Sequence, residues 1–454
     1  MTYFFESYGC QMNLAESSSV EQLLLARGWT VAESADVADL VVVNTCSVRI
    51  TAETRAMSRI SRFCAQKKHR NLTVLVMGCM AERLRAELKK KYRRLDYVVG
   101  MFERDEFDSI FARIESGGTW TPEEQNHGDE IPEGNAYHFA PSSWKEGSFQ
   151  SFVPIMNGCN NFCTYCIVPY VRGREVSRNM EDILDEFDFL ADRGVREVTL
   201  LGQNVNSYRW EDPDTGSIVD FPELLRRIAR RVEEKNRIRW IRFMSSHPKD
   251  LSDSLIDVLA SERVYCRFIH LPVQHGSNRI LSAMNRRYTR ESYLALVDRI
   301  RTRIPDATIS TDILVGFPGE TEEDVEETLD LIRRVEFYSA FMYHFNPREG
   351  TKAYEMDNWI PDDVKKGRLA RVIELQHELS AKQMRARVGS VLPVLVESVS
   401  RNNEKELFGH TEFGDMVVFR DQLDPALIGR FVQAELISLR GRTFHAKMTE
   451  APVD

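Results

Sequence analysis

The sequence lacks the long apolar run of a membrane-spanning helix, since no stretch approaches about 20 consecutive apolar residues. It lacks an excess of basic residues, because its formal net charge at pH 7 is −9, which argues against a protein that coats nucleic acid. Because the first strand is predicted almost at residue 1, we expect no signal peptide. With 43% hydrophobic and 28% charged residues, the composition is typical of a soluble globular protein, and we expect the cytoplasm as its location. The 454 residues suffice for about three domains.

Cysteine is scarce, and the eight residues do not form the disulfide framework of a small secreted protein. In a reducing compartment, clustered cysteines more often bind metal. Cys159, Cys163 and Cys166 have the spacing C-x3-C-x2-C. Three thiolates this close can hold three irons of a [4Fe–4S] cluster and leave the fourth iron open for chemistry. A zinc site is the alternative, but zinc sites usually have a fourth Cys or His nearby, which this run lacks.

Residues 1–118 alternate strand and helix signals and predict an α/β domain with a parallel sheet. The predicted strands are residues 2–7, 40–44, 72–77 and 96–99. Cys10, Cys46 and Cys79 each follow one of the first three strands. Because parallel strands end at one edge of a sheet, we expect these three thiols to converge there. They would hold a second [4Fe–4S] cluster, again with one open iron.

Residues 145–378 repeat the strand–helix alternation six times and predict a partial (β/α)6 barrel. The polar, glycine- and proline-containing residues 119–144 are predicted to be a linker. The barrel strands are predicted at residues 152–156, 197–201, 238–244, 267–271, 308–315 and 339–345. Function in such barrels lies at the C-terminal ends of the strands. The polar or glycine residues that follow these strands are Gly202, Gln203, Asn204, Ser245 and Gln274.

Residues 382–448 contain five short β runs and predict a small antiparallel β-barrel. The runs are residues 391–397, 407–409, 416–419, 431–438 and 443–447, and a helix over residues 365–387 leads into them. This segment has no cysteine, so we do not expect it to perform chemistry. It carries basic residues whose charges suit contacts with phosphates: Arg385, Arg387, Arg401, Lys405, Arg440 and Arg442.

The motifs around the six cysteines resemble those of the radical S-adenosylmethionine (SAM) methylthiotransferase family, and the resemblance covers essentially the whole chain. The matching segments are CQMN at 10–13, NTCSVR at 44–49, GCMA at 78–81, GCN at 158–160, CTYC at 163–166, VRGRE at 171–175, LGQNVN at 201–206 and SSHP at 245–248. The resemblance implies that the C-terminal barrel is an RNA-binding TRAM domain. Two positions depart from the family pattern: Glu16 stands where Asp is usual, and His410 stands where the TRAM pattern has an Arg that contacts a phosphate.

The family resemblance also implies a reaction. One SAM molecule supplies a methyl group to sulfur on the N-terminal cluster, and a second SAM, on the barrel cluster, is cleaved to a 5′-deoxyadenosyl radical. This radical removes hydrogen from C2 of an adenine, and the methylthio group then joins that carbon. A radical is needed because no side-chain base removes an unactivated aromatic proton. The implied substrate is tRNA carrying N6-isopentenyladenosine beside the anticodon, and the product is its 2-methylthio derivative.

The resemblance places Tyr165 near the adenine of SAM and Gly202 beside SAM. Gln203 and Asn204 either bind the SAM amino group or cap the segment that follows them. Ser245 and Gln274 either contact SAM or are ordinary polar residues at strand ends. A monomer that receives electrons from a low-potential donor such as a flavodoxin or ferredoxin is expected.

Two alternatives remain within the family and one outside it. Sister methylthiotransferases modify threonylcarbamoyladenosine in tRNA or an aspartate of a ribosomal protein. The motif CQMN at 10–13 favours the members of the family that act on isopentenyladenosine. A non-catalytic iron–sulfur RNA-binding regulator is the alternative of another class, and the SAM-type cysteine run argues against it.

Overall fold

The computed structural model describes residues 1–47, 50–117, 137–139, 144–400, 403–420 and 423–450. Most of the predicted linker, the end of the NTCSVR motif and Arg401 lie outside the described residues. Within the described part of the chain, no helix has both the length and the apolar character needed to span a membrane.

The N-terminal region is the predicted α/β unit. Its strands are β1 (Thr2–Tyr8), β2 (Thr30–Val31), β3 (Leu40–Thr45), β4 (Thr73–Gly78) and β5 (Tyr97–Val99). Its helices are α1 (Gln11–Ala26), α2 (Ile50–Gln66), α3 (Cys79–Arg83), α4 (Arg85–Lys91) and α5 (Glu106–Glu115). All strands are parallel, in the order β2-β1-β3-β4-β5, and the central β3 is buried along its whole length. The sequence did not predict β2, whose two residues are both exposed.

From residue 144 onward, the central region contains ten strands and eight α-helices. Its strands are β6 (Gln150–Pro154), β7 (Met156–Asn157), β8 (Val176–Ser177), β9 (Glu197–Leu201), β10 (Arg209–Glu211), β11 (Ile218–Asp220), β12 (Trp240–Phe243), β13 (Phe268–His270), β14 (Thr308–Val315) and β15 (Ser339–His344). Its helices are α6 (Val168–Val171), α7 (Met180–Asp192), α8 (Phe221–Lys235), α9 (Asp253–Ser261), α10 (Asn278–Ala283), α11 (Arg290–Arg303), α12 (Glu322–Val335) and α13 (Asp362–Ala386).

Six of these strands form the predicted open barrel. Two three-stranded parallel sheets, β12-β9-β6 and β13-β14-β15, are joined by a bridge between Ile241 and Tyr265. One face of each strand packs against the surrounding helices in a large apolar core. The opposite face lines the barrel interior, because successive side chains of a strand point to opposite faces. The short pairs β7–β8 and β10–β11 were not predicted.

The C-terminal region is a closed five-stranded barrel in the order β16-β17-β18-β20-β19. Its strands are β16 (Val391–Val399), β17 (Leu407–Thr411), β18 (Met416–Phe419), β19 (Phe431–Arg440) and β20 (Thr443–Met448). Four pairings are antiparallel as predicted, but β18 and β20 are parallel. An odd number of strands cannot close with every neighbouring pair antiparallel, so a purely antiparallel closed barrel was not possible.

This small barrel packs against the N-terminal ends of the central strands. Trp240, the first residue of β12, lies with its ring centroid 4.7 Å from that of Phe431. Arg242 donates hydrogen bonds to the carbonyl oxygens of Thr411 and Glu412 at 2.8 and 2.7 Å. The small barrel therefore closes the end of the central barrel that lies opposite the predicted site.

Candidate metal centres

The first cysteine trio lies at the C-terminal edge of the N-terminal sheet. Cys10 precedes α1, Cys46 follows β3, and Cys79 begins α3 directly after β4. Cys46 and Cys79 are buried, whereas Cys10 is exposed. Burial raises the pKa of Cys79 to about 12, and the nearby charges of Cys46 and Cys10 contribute to this rise. Three sulfurs from three strand ends thus lie within electrostatic reach of one another.

Buried amides shape the turns that carry these thiols. The Asn13 Oδ1 atom accepts hydrogen bonds from the backbone nitrogen of Cys10 at 3.2 Å and from its sulfur at 3.3 Å. Its Nδ2 donates to Asn44 Oδ1 at 2.9 Å, which links the first turn to the second. Gly78 has φ +94°, and a Cβ there would stand 2.4 Å from the same Asn44 oxygen. Only glycine fits before Cys79, which explains the Asn and Gly residues of the three N-terminal motifs.

The second trio lies on the segment between β7 and β8, which backbone hydrogen bonds close at its ends and fold within. The Cys159 nitrogen donates to the Gly173 carbonyl at 3.2 Å, and the Cys166 nitrogen donates to the Cys163 carbonyl at 2.9 Å. Burial raises the pKa of Cys159 to about 11 and that of Cys166 to about 12. Thiols must lose their protons to bind metal, so metal loading at this loop releases protons.

Arg286 is a functional candidate that the sequence analysis missed. This buried side chain donates from Nη1 to the Cys163 sulfur at 3.4 Å and from Nη2 to the Pro272 carbonyl at 2.8 Å. Its neighbour Asn285 donates to the carbonyls of Asn161 and Phe162 inside the cysteine loop. Hydrogen bonds to cluster-binding sulfurs are one way in which proteins set cluster potentials. No local motif marks Arg286, because it reaches the loop only through the barrel fold.

Among the described residues, no group of three His, Cys, Asp or Glu side chains is arranged to hold a single metal ion. A [4Fe–4S] cluster does not need three side chains around one ion, because each of its irons binds its own cysteine. Both trios consist of cysteines on turns that hydrogen bonds of the surrounding backbone and side chains fix. The residues present therefore fit two three-cysteine clusters.

The predicted SAM residues Gln203 and Asn204 make hydrogen bonds within the protein. Gln203 Oε1 accepts from the backbone nitrogen of Gly158, one residue before the cysteine run, at 2.6 Å. The buried Asn204 donates to Asp250 at 2.7 Å and accepts from the His247 nitrogen at 3.1 Å. Gln203 thus holds the cysteine loop to the end of β9, and Asn204 joins the ends of β9 and β12.

Ser245 and Gln274 share an unusual backbone conformation. They have φ values of +68° and +69°, a region that residues other than glycine seldom adopt. Such conformations cluster at functional sites, where the surrounding structure maintains them. Gly202 lies against Met156, and a Cβ would stand 2.4 Å from the Met156 Cγ. Tyr165 is half-buried, and burial raises its pKa above the ordinary value.

Two buried polar side chains beside these residues have no hydrogen-bond partner within the described structure. They are Asn206, whose amide oxygen and nitrogen are both unpaired, and Ser246, whose hydroxyl is unpaired. Buried polar groups are normally hydrogen-bonded, so these atoms fit a site that binds a polar ligand. Asn206 belongs to the LGQNVN motif and Ser246 to the SSHP motif, although the sequence analysis assigned neither a role.

Three buried histidines near the strand ends, His247, His270 and His275, make contacts within the fold. His275 Nε2 lies 3.0 Å from Glu320, which also accepts from Arg368 at 3.0 Å. His270 Nδ1 lies 2.8 Å from Ser310 Oγ. Burial, assisted by the Arg286 charge, lowers the pKa of His247 to about 2, so this ring is neutral.

One arginine connects the two cysteine trios. Arg172 follows α6 and belongs to the segment that holds Cys159, but its side chain reaches across to Glu16 in α1 at 2.8 and 3.3 Å. Both side chains are almost fully buried, with 3% and 4% of their surfaces exposed. The positive charge of Arg172 opposes the rise in the pKa of Cys79. Both trios thus lie at the interface between the N-terminal and central regions. Glu16, the departure from the family pattern, is the partner that anchors this interface.

Three parts of the chain match known families. Residues 2–100 match the Uncharacterized protein family UPF0004, residues 153–332 match the Radical SAM superfamily, and residues 385–449 match the TRAM domain.

Proteins similar over almost the full length carry the name tRNA-2-methylthio-N(6)-dimethylallyladenosine synthase. The relative from Treponema pallidum (strain Nichols) is 58% identical over 99% of both chains. That from Treponema denticola is 57% identical over 99% of this chain and 100% of the relative. That from Carboxydothermus hydrogenoformans is 42% identical over 98% of both.

Solved structures show the same fold at much lower identity. The radical S-adenosylmethionine methyltransferase TsrM from Kitasatospora setae, solved with cobalamin and a [4Fe–4S] cluster, has a TM-score of 0.57 at 17% identity. That match covers 78% of this chain and 73% of TsrM. The cobalamin-dependent S-adenosylmethionine radical enzyme OxsB has a TM-score of 0.52 at 11% identity. That match covers 83% of this chain and 56% of the OxsB chain.

Proposed function

The chain belongs to the tRNA-2-methylthio-N(6)-dimethylallyladenosine synthase family, and from this premise we propose that it is a tRNA methylthiotransferase. It converts N6-isopentenyladenosine beside the anticodon to the 2-methylthio derivative. Relatives of that name are 42–58% identical and span nearly the whole chain, which supports the assignment. The structural observation that carries the proposal is the Arg172 contact, because it brings two incomplete cysteine trios to one interface.

In this proposal each trio holds one [4Fe–4S] cluster, and the barrel trio also binds SAM. The first cluster is held by Cys10, Cys46 and Cys79, and the second by Cys159, Cys163 and Cys166. When bound, the clusters and SAM supply the sulfur, the methyl group and the reductive radical chemistry that attack on an aromatic C–H requires. The chain itself fixes where this happens, because Arg172 joins the second loop to the domain of the first trio.

The SAM-binding residues have separate tasks. We propose that Tyr165, Gly202, Ser245 and Gln274 line the SAM site, since the half-buried ring follows Cys163 by two residues and the other three lie at barrel strand ends. Gln203 and Asn204 act mainly by positioning. Gln203 holds the cysteine loop through Gly158, and Asn204 holds the turn after Ser245.

The same proposal covers domains, partners and location. We propose domains at residues 1–118, 145–378 and 382–448 with a linker at 119–144, which the three family matches support. The substrate is tRNA, the electron donor is a low-potential protein such as a flavodoxin or ferredoxin, and the enzyme works as a monomer in the cytoplasm.

Nucleoside analysis tests the proposal. The anaerobically reconstituted chain is incubated with SAM, a reductant and either prenylated or unprenylated tRNA, and the digested nucleosides are analysed by mass spectrometry. We expect 2-methylthio-N6-isopentenyladenosine from the prenylated tRNA only. A methylthio group on threonylcarbamoyladenosine or on a ribosomal-protein aspartate would assign the chain to a sister activity. RNA binding without any SAM cleavage would favour a regulator.

A further inference from the structure

Other parts of the chain cover the interior face of the first barrel strands. Phe152 on β6 packs with Met12 and Ala15 of α1. Trp240 on β12 packs with Leu395 and Phe431 of the C-terminal barrel. Gly414 of the same barrel lies against Phe268 at the start of β13, and a Cβ on Gly414 would stand 3.5 Å from the Phe268 ring. The interior faces of β6, β12 and β13 are therefore closed at these positions by the chain itself.

The interior face of β15 is different. Phe341 is 46% exposed and Tyr343 is 40% exposed, although both lie on a central barrel strand. Their neighbours on the same strand, Ala340 and Met342, point the other way and pack against the helical core. Among the described strands β15 pairs only with β14, so the two rings border the open side of the barrel.

This aromatic face leads towards the second cysteine trio. Tyr343 pairs in register with Leu314 of β14, and Phe341 pairs with Asp312. Leu314 packs in one apolar cluster with Tyr165, which lies between Cys163 and Cys166 in the sequence. The Phe341 ring stands edge-on to His270, with centroids 5.8 Å apart, which fixes one edge of the ring and leaves much of its surface accessible.

We propose that Phe341 and Tyr343 form an aromatic wall on which the target adenine of the RNA stacks when it enters the barrel. The proposal rests on the proposed function, because it names the contact by which that same site holds its base. Single-stranded RNA bases are recognised mainly by stacking on exposed aromatic side chains, and an enzyme that modifies a base takes it out of its stack. The occupant is a planar base rather than a second copy of the chain, because the wall continues inward to the cluster loop instead of forming part of an outer surface.

A double-mutant cycle with RNA tests the wall. The affinity of the reconstituted chain for a prenylated anticodon stem-loop is compared with its affinity for the same RNA made abasic at the target nucleotide. Loss of one stacked base typically weakens binding by roughly 5- to 150-fold. We expect Phe341→Ala and Tyr343→Leu to show such a loss with the intact RNA and little further loss with the abasic RNA. Tyr343→Phe should restore wild-type affinity.

Phe189→Ala is the matched control, because Phe189 is 40% exposed on the outer helix α7 of the same region. It should leave the affinity unchanged. Equal losses with intact and abasic RNA, or an equal loss in the control, would overturn the wall. A change in molecular mass by light scattering in Phe341→Ala, with RNA affinity intact, would show a second copy as the occupant and also overturn it. If the wild-type chain methylthiolates no RNA at all, the proposed function fails instead, and the stacking measurement still stands alone as a binding result.

Discussion

Replacing Arg172 by Met should weaken the attachment of α1 to the central barrel. The substitution leaves the Glu16 carboxylate buried with 4% of its surface exposed and without the cation 2.8 Å away. Removing one partner of a buried ion pair costs about 3–5 kcal/mol, because the remaining charge stays desolvated. The double variant Arg172→Met, Glu16→Gln should recover most of this loss, since the amide is neutral and still accepts a hydrogen bond from Tyr137.

Native-state hydrogen exchange measures this effect where it occurs. The opening free energy of the α1 amides should fall by about 3–5 kcal/mol in the single variant. Arg178→Met is the matched control, because Arg178 and Glu186 form an equally buried pair inside the central region. It should destabilise α7 and leave α1 unchanged. If α1 exchange is the same in Arg172→Met and in the wild type, or falls equally in the control, the ion pair does not hold the interface.

Further outcomes follow from the two trios and the C-terminal barrel. Reconstitution should load about eight irons per chain. Cys79→Ala should halve the iron content, leave SAM cleavage intact and stop methylthio transfer. Cys163→Ala should stop SAM cleavage as well as methylthio transfer. Burial lowers the pKa of His410, but its carboxylate partners outweigh this and raise it above 6.5. The contribution of His410 to docking of the C-terminal barrel should therefore be complete below pH 6.5 and be lost as pH rises through the raised value. Exchange at β17 against pH should show this loss, and His410→Gln should remove it. Arg440→Glu with Arg442→Glu should weaken tRNA binding and lower the slope of log affinity against log salt by about 1 per lost phosphate contact; an unchanged slope would move RNA binding elsewhere.

Elements with strong local patterns were predictable from the sequence. The apolar run of β3 and the residues of β14 gave the correct strands, and the end of β14 was predicted to the residue. The fold class is confirmed, because the order of strand and helix signals determines a parallel sheet and an open barrel before any tertiary contact is known. The location of Cys46 and Cys79 directly after strand ends could be predicted from the same patterns.

Contacts that depend on how the regions pack were not predictable. Arg286 reaches Cys163 from a loop more than a hundred residues away in sequence, and Arg172 meets a helix of another region. The His410 substitution put one phosphate contact of the family pattern in doubt, and its actual contacts could not be predicted. His410 lies between Glu197 and Glu397 and stands against Trp240 at the docking interface. Packing against the central barrel, rather than the motif, decides which side chains face outward.

Arg387 shows the same limit. It was counted among the residues for RNA, but it pairs with the buried Asp415 at 2.7 Å and lies over the rings of Tyr338 and Phe413. Of the residues in that set, Arg385, Lys405, Arg440 and Arg442 are exposed and available to RNA. Deleting the C-terminal barrel would uncover Trp240 as well as remove these cations, so charge reversal is the cleaner test.

Helix α13 sets a length scale for the substrate. Near its start Lys365 lies against Gly316 at the C-terminal end of the barrel, and near its end Gln383 donates to the Glu336 carbonyl at the opposite end. Its 25 residues span about 38 Å. An RNA that reaches the cluster loop and the small barrel together must bridge a distance of this order. Short fragments that keep the modified nucleotide would then reach only one end, and the length of the RNA, as well as its sequence, would decide how tightly it is held.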